Sequence, residues 1–205
     1  MMHDEIESKF ELDASDFERL RTAGRVRGCA DQLNVYYDCD GILKRSSTTL
    51  RIRVVPGSPS VLTLKVPKSF TGAKRTALEI EHEVEIRKPP SGMRIDCDLP
   101  PDVCGVLAGL GISRVVRVGW MRNSRWSVEL HEGCAIDLDR VSLPDGSTFF
   151  EAEVETADVE AHEYAVDIIR DMAVSARPST MSKFERFCSA LRGRVGVDAM
   201  SAAAY

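Results

Sequence analysis

Apolar and polar residues alternate along much of this chain with a period of two, which marks strands. Residues 5–10 place Glu5, Glu7 and Lys9 on one face and Ile6, Ser8 and Phe10 on the other. Residues 32–38 read as a second strand, closed by an Asp40-Gly41 turn. Residues 49–55 set Arg51 and Arg53 against Leu50, Ile52 and Val54. The turn Pro56-Gly57-Ser58-Pro59 joins them to a hairpin partner, 60–66, where Lys65 shares a face with Val61 and Thr63. Beyond a loop with Gly72, Lys74 and Arg75, residues 77–86 line up Glu79, Glu81, Glu83 and Glu85 opposite Leu78, Ile80, Val84 and Ile86. Later strands are expected at 114–130, at 135–139 with Asp137 and Asp139 on one face, and at 149–155 with Glu151, Glu153 and Glu155 on one face.

Helical spacing appears between these runs. Residues 12–20 start with Ser15 and Glu18 as a capping box, stop at Gly24 and turn Phe17 and Leu20 to a core. Val103, Val106, Leu107 and Leu110 form an apolar stripe ended by Gly111. A helix over 158–174 has Ala161, Ala165, Ile168 and Met172 as its stripe, and a last one from 182 packs Phe184, Phe187 and Leu191. These elements predict one domain over 1–192 and a frayed tail over 193–205.

Composition narrows the class. The chain has 205 residues, a net charge of −5 and ordinary globular proportions, which argues against a general nucleic-acid binder. No apolar run reaches membrane-spanning length and no leader pattern opens the chain, so no membrane partner is expected. The six cysteines form no CxxC pair and read as reduced thiols of a cytoplasmic protein. The four histidines show no zinc spacing.

The charges are sorted strand by strand, whereas solvated faces usually mix both signs. Arg51 and Arg53 make one strand basic; the 79–85, 137–139 and 151–155 faces are acidic. About eight strands with one polar face each, and helices to cover the apolar faces, predict an α+β fold. Its centre is a closed eight-stranded antiparallel β-barrel with a charged interior and helices packed outside. A triphosphate suits such a lumen, because Arg and Lys can hold its charge while carboxylates bind Mg²⁺ or Mn²⁺ bridging to phosphate.

The order of these motifs resembles the CYTH domain, or triphosphate tunnel metalloenzyme, family. Glu5-Ile6-Glu7-Ser8-Lys9 is similar to its opening ExExK. Tyr36-Tyr37-Asp38, Leu50-Arg51-Ile52-Arg53, Leu62-Thr63-Leu64-Lys65, the 79–85 glutamates, Ala152-Glu153-Val154-Glu155 and Ser182-Lys183-Phe184 resemble its later motifs, in order. The resemblance implies an eight-stranded tunnel that hydrolyses thiamine triphosphate or inorganic tripolyphosphate. Its alternatives are a class IV-type adenylyl cyclase or a non-catalytic polyphosphate-binding module. It implies Glu5 and Glu7 as metal ligands with Glu153 or Glu155 opposite, and Arg51, Arg53, Lys65, Arg125 and Lys183 around the phosphates. Lys9 would touch the substrate or polarise a water, paired with Tyr36 in the thiamine triphosphatase branch. Among the remaining carboxylates Glu81 and Glu83 are favoured, and Asp137 and Asp139 stay equivalent. The family's Lys-x-Arg on the sixth strand is Asn123-Ser124-Arg125 here, and alternation allows only one of Arg122 and Arg125 into the tunnel.

Overall fold

The computed structural model describes residues 2–86, 88–131, 134–156 and 158–195; the side chains of 3–5 and 192–195 lie outside the description. Its strands are β1 (Met2–Leu12), β2 (Arg25–Asp38), β3 (Thr49–Val54), β4 (Ser60–Thr71), β5 (Lys74–Val84), β6 (Gly92–Arg94), β7 (Arg114–His131), β8 (Cys134–Ser142), β9 (Thr148–Glu155) and β10 (Arg177–Pro178). Its helices are α1 (Ala14–Ala23), α2 (Ile42–Arg45), α3 (Pro101–Gly109), α4 (Val159–Met172) and α5 (Lys183–Val195). The strands pair antiparallel in the order β1-β5-β4-β3-β2-β7-β8-β9, and β9 returns to β1, so eight strands close a barrel. Closure removes free sheet edges and fixes an inside and an outside for every alternating strand. Short β6 and β10 add to β7 and β1 outside the closed path.

The apolar faces point outward under helices. Val35, Tyr37, Leu50, Ile52, Leu62, Leu64 and Ile80 of β2–β5 pack with Leu43 of α2 and with Val103 and Leu107 of α3. On the other side, Phe10, Val128, Ile136, Leu138 and Val154 pack with Phe17 and Leu20 of α1 and with Ala165, Val166 and Ile169 of α4. The buried residues of α4 are His162, Ala165, Val166 and Ile169; of the expected stripe Ala165 is in the core and Ile168 and Met172 pack against it partly buried, while Ala161 supplies the backbone N–H that Asp158 caps. Asp13, not Ser15, caps α1, accepting from the Asp16 N–H at 2.8 Å. Asp38 accepts from the N–H groups of Cys39 and Leu43 at 2.7 and 2.9 Å, so this motif residue ties down the turn into α2.

The last helix lies across one end of the barrel. Phe184 and Phe187 pack with Tyr36, Met121 and Val141. Gly119 makes this possible: it sits at the β-bulge opposite Tyr36, with φ +154°, where a Cβ would collide with the Phe187 ring. The helix runs to Val195, past the expected boundary at 192, and residues 196–205 lie outside the described residues.

Candidate active site

The barrel encloses a cavity of about 190 Å³, lined by charged residues from β1, β3, β4, β5, β7, β9 and the start of α5. From β1 come Glu7 and Lys9; Glu5 lies on the same strand opposite Ala77, but its side chain is outside the described residues. Buried Glu7 accepts ion pairs from Lys9 at 3.0 Å and Lys65 at 2.9 Å. Burial pushes its pKa up, but the two ammonium groups outweigh it and hold the carboxyl down at about 2. Lys9 also donates to Glu153 at 2.6 Å. Burial lowers its pKa and the two carboxylates raise it; they win, so Lys9 stays an ammonium.

Arg51 and Arg53 project from β3 into the cavity. Among the described residues, Arg51 has a carboxylate, Glu79, at 3.9 Å, and its buried Nε has no hydrogen-bond partner. Arg53 donates to the Asn34 side chain at 3.2 Å and, among the described residues, has no carboxylate at ion-pair distance. Burial first, then Arg51 and Arg125, push the Arg53 pKa down to about 10. Two guanidinium groups are thus held side by side with little counter-charge.

The opposite wall is different. Arg125 of β7 binds Asp137 and Asp139, at 2.7 and 2.6 Å, and also Glu153. Lys183, the first residue of α5, donates to Glu151 and Glu153 at 2.5 Å and lies 2.9 Å from Asp139. Burial opposes charge on Asp139, but Lys183 and Arg125 keep its pKa down at about 2; Glu153 is held low in the same way by Lys183, Lys9 and Arg125.

The structure brings together Glu7, Lys9, Tyr36, Arg51, Arg53, Lys65, Glu81, Arg125, Glu153, Glu155 and Lys183 around the cavity. Four expected residues do not line it: Asp137 and Asp139 are held by Arg125, and Arg122 and Glu83 are exposed. Arg122 is exposed on the outer face of β7, its guanidinium 5.9 Å from the Trp120 ring centre, because strand alternation gives the lumen to Asn123 and Arg125. Glu83 is exposed opposite Val61; the register of β5 against β4 pairs Thr63 with Glu81 and Lys65 with Glu79, so Glu79 and Glu81 are the cavity carboxylates of that strand. Asp137 and Asp139 are not equivalent: Asp139 is fully buried, while Asp137 is partly exposed and also accepts from Ser127. Tyr36 stacks on Phe184 and Phe187 with ring centres 5.1 and 5.4 Å apart, and burial raises its pKa, so its hydroxyl stays protonated. No hydrogen bond joins it to Lys9 among the described residues. Glu151 was given no role by its sequence motif, yet it is fully buried against Lys183. Its place two residues before Glu153 was the available signal. Asn34, two before Tyr36, was legible in the same way.

The matched family fits this geometry. The sequence model of the CYTH domain matches residues 3–188. This chain belongs to the CYTH family. Among solved structures, this CYTH chain is similar to HpAC1 from Hippeastrum, described as a candidate adenylyl cyclase that reveals a dominant triphosphatase activity. That match has 26% identity and a TM-score of 0.76, covering 90% of this chain and 95% of that one. A Bacillus halodurans protein described as a candidate adenylate cyclase matches at 25% identity and a TM-score of 0.68, covering 91% and 98%. The PH1819 protein of Pyrococcus horikoshii OT3 shares the fold at 24% identity and a TM-score of 0.61, covering 90% and 98%. A search of curated proteins finds no match.

The carboxylates also fit a hard divalent cation. Oxygens of Asp139, Glu151 and Glu153 lie within 4.8 Å of one another, and Glu151 Oε1 is buried without a hydrogen-bond partner. Lys183 sits in that cluster, while Glu7, Glu79, Glu81, Glu153 and Glu155 face the cavity with oxygen ligands of the type Mg²⁺ and Mn²⁺ take. All six cysteines are free thiols, and among the described residues no helix is long and apolar enough to cross a membrane.

Proposed function

We propose that this CYTH protein hydrolyses a triphosphate to a diphosphate and phosphate, with a divalent cation. The observation that carries the reading is the Arg51–Arg53 pair, two cations facing one cavity of which, among the described residues, Arg51 has a carboxylate only at 3.9 Å and Arg53 has none at ion-pair distance. Holding them there is costly without an anion, and phosphate oxygens suit the planar donors of arginine. Lys65 extends this wall while Glu7 faces it from β1.

In the reaction a water oxygen bonds to the terminal phosphorus. The P–O bond to the leaving diphosphate breaks, the diphosphate keeps the electron pair, and the proton of the attacking water passes to a phosphate oxygen and on to solvent. Arg51, Arg53 and Lys65 bind and orient the phosphate chain. Lys9, kept protonated by Glu7 and Glu153, serves as a hydrogen-bond donor to the transferring group and not as a base. Glu7 and Glu153, with pKa values held low, are also weak bases. That suits phosphoryl transfer through a loose transition state, where positioning and charge stabilisation dominate. Glu7, Glu79, Glu81, Glu153 and Glu155 would hold Mg²⁺ or Mn²⁺, which when bound neutralises phosphate charge. Thiamine triphosphate and tripolyphosphate are the first substrates to test.

The test is phosphate release from tripolyphosphate and thiamine triphosphate with Mg²⁺ or Mn²⁺. Turnover is expected, and Lys9→Ala and Glu7→Gln should each lower kcat by roughly 10²–10³-fold. Absence of release with every divalent metal overturns hydrolysis. A second reading, cyclisation of ATP, draws on the two relatives described as candidate cyclases; cyclic AMP formed from ATP would favour it. Tight tripolyphosphate binding without turnover, unchanged by Lys9→Ala, would indicate a binding module.

A further inference from the structure

Phe70 stands at the cavity in a way the phosphate chemistry does not require. It lies on the β4–β5 hairpin and remains 54% exposed while lining the cavity. Its cross-strand partner is Arg75, whose guanidinium carbon sits 4.9 Å from the ring centre, a cation–π contact. Arg75 is only 6% exposed, bonds the Ser179 carbonyl, and has a buried Nε without a partner. The hairpin is anchored at its tip as well: Ala73 is buried and its carbonyl accepts from the Lys9 N–H at 3.3 Å. Phe70 is therefore carried on fixed backbone.

A β-bulge between Pro67 and Ser69 shapes this mouth. In a regular hairpin only alternate cross-strand pairs reach one face. Here two successive pairs, Ser69 with Thr76 and Phe70 with Arg75, both line the cavity. Bulges re-aim side chains beside functional sites. The bulged residue is Lys68, and the aromatic it brings round is Phe70.

Cavity size gives the ring its purpose. About 190 Å³ is less than the roughly 300–1,000 Å³ of pockets that engulf a drug-sized ligand. A triphosphate ester bound here would keep its phosphates inside and its organic group at the mouth. We infer that Phe70, backed by Arg75, is a stacking platform for a flat heteroaromatic group, and that the substrate class is an aromatic triphosphate ester, not inorganic tripolyphosphate. This rests on the triphosphate reading of the same cavity. Arg75 covers one face of the ring and fixes it, while the exposed remainder is available to a second ring. Base–aromatic stacking tolerates different rings, so the platform selects for flatness and not for one heterocycle.

The experiment measures binding of thiamine triphosphate, ATP and tripolyphosphate by calorimetry to the full chain and to Phe70→Ala and Phe70→Trp. The inference expects Phe70→Ala to lower the affinity ratio of at least one aromatic ester over tripolyphosphate by about tenfold. Phe70→Trp should hold or raise that ratio. An unchanged ratio in both variants overturns it, even where all three ligands bind. No triphosphate binding to the natural chain overturns this inference and the proposed function together. Quenching of the Phe70→Trp fluorescence by ester but not by tripolyphosphate is the expected independent sign; equal quenching by both counts against it.

Discussion

Two walls of one barrel carry the same kinds of residue in opposite electrostatic states. On the β7–β9 wall, Arg125 and Lys183 share Asp137, Asp139, Glu151 and Glu153, and Glu153 links this network to Lys9 of β1. On the β3 wall, Arg51 has one carboxylate at 3.9 Å and Arg53 has an asparagine. Arg125 and Lys183, each bound to several buried carboxylates, tie β7, β8 and β9 to one another and to the start of the capping helix. Cations without counter-charge store an unmet demand that an anionic ligand can satisfy. Glu7 bridges the two states by pairing with both Lys9 and Lys65.

The largest effect should come from opening the β7–β9 wall. Lys183→Ala leaves Asp139 and Glu151 buried with less compensation, and removing one partner of a buried ion pair costs about 3–5 kcal/mol. Denaturant unfolding measures it. The cost should shrink when Glu151→Gln is added to Lys183→Met, since a neutral pair needs no counter-ion. If Lys183→Ala unfolds at the same denaturant concentration as the natural chain, the β7–β9 wall is no structural anchor and the contrast fails.

Acid titration separates the walls next. Glu7 and Asp139 have folded pKa values near 2, below their ordinary 4.5 and 3.8. The folded state thus binds fewer protons, and its stabilisation is present in full above about pH 5 and lost as pH falls toward 2. For Glu7 the loss is on the order of 3 kcal/mol. Arg53, with its pKa depressed, has the opposite sign: its penalty on folding persists below pH 10 and is relieved only above it. Chemical unfolding in metal-free buffer should stay level from pH 7 to about 5 and lose stability steadily from there down to about 2.5; a flat profile throughout would show that the carboxylates are not held by these cations.

How much of this was legible depended on period and on partnership. Strand faces were: alternation alone assigned Arg51 and Arg53 inward and Leu50 and Ile52 outward. Register was not. Four glutamates stand at every second position, 79–85; the sequence favoured Glu81 and Glu83, and the pairing of Lys65 with Glu79 places Glu79 and Glu81 in the cavity and Glu83 outside it. The bulge in β4 hid Phe70 and Arg75, because one inserted residue breaks the period that sequence reading relies on. Nor could the sequence separate Lys183 from Arg53: charge is written in the residue, but neutralisation is set by neighbours distant along the chain, which for Lys183 are Asp139, Glu151 and Glu153 on β8 and β9. The cap of α5 over the barrel was visible only as Phe184 and Phe187 at helical spacing, and its dependence on Gly119 needed the fold.

The smallest expected effect decides the β3 wall. Arg53→Ala removes a cation that, among the described residues, has no carboxylate at ion-pair distance, so its loss should not lower folding stability, and relief of repulsion with Arg51 should raise it slightly. Binding should respond the other way. A charge-assisted hydrogen bond is worth about 1.5–3 kcal/mol, so tripolyphosphate affinity should fall by roughly 10–150-fold, measured by calorimetry at fixed salt. The companion Arg125→Ala makes the comparison strict, because Arg125 lines the same cavity but is bound to Asp137, Asp139 and Glu153. It should lose stability first, with affinity lost only as the fold loosens. Added tripolyphosphate should raise the unfolding midpoint of the natural chain and of Arg125→Ala, but raise that of Arg53→Ala much less, since a ligand stabilises only in proportion to its affinity for the folded state. The reverse pattern, with Arg53→Ala destabilised and still binding tightly, would exchange the roles of the two walls.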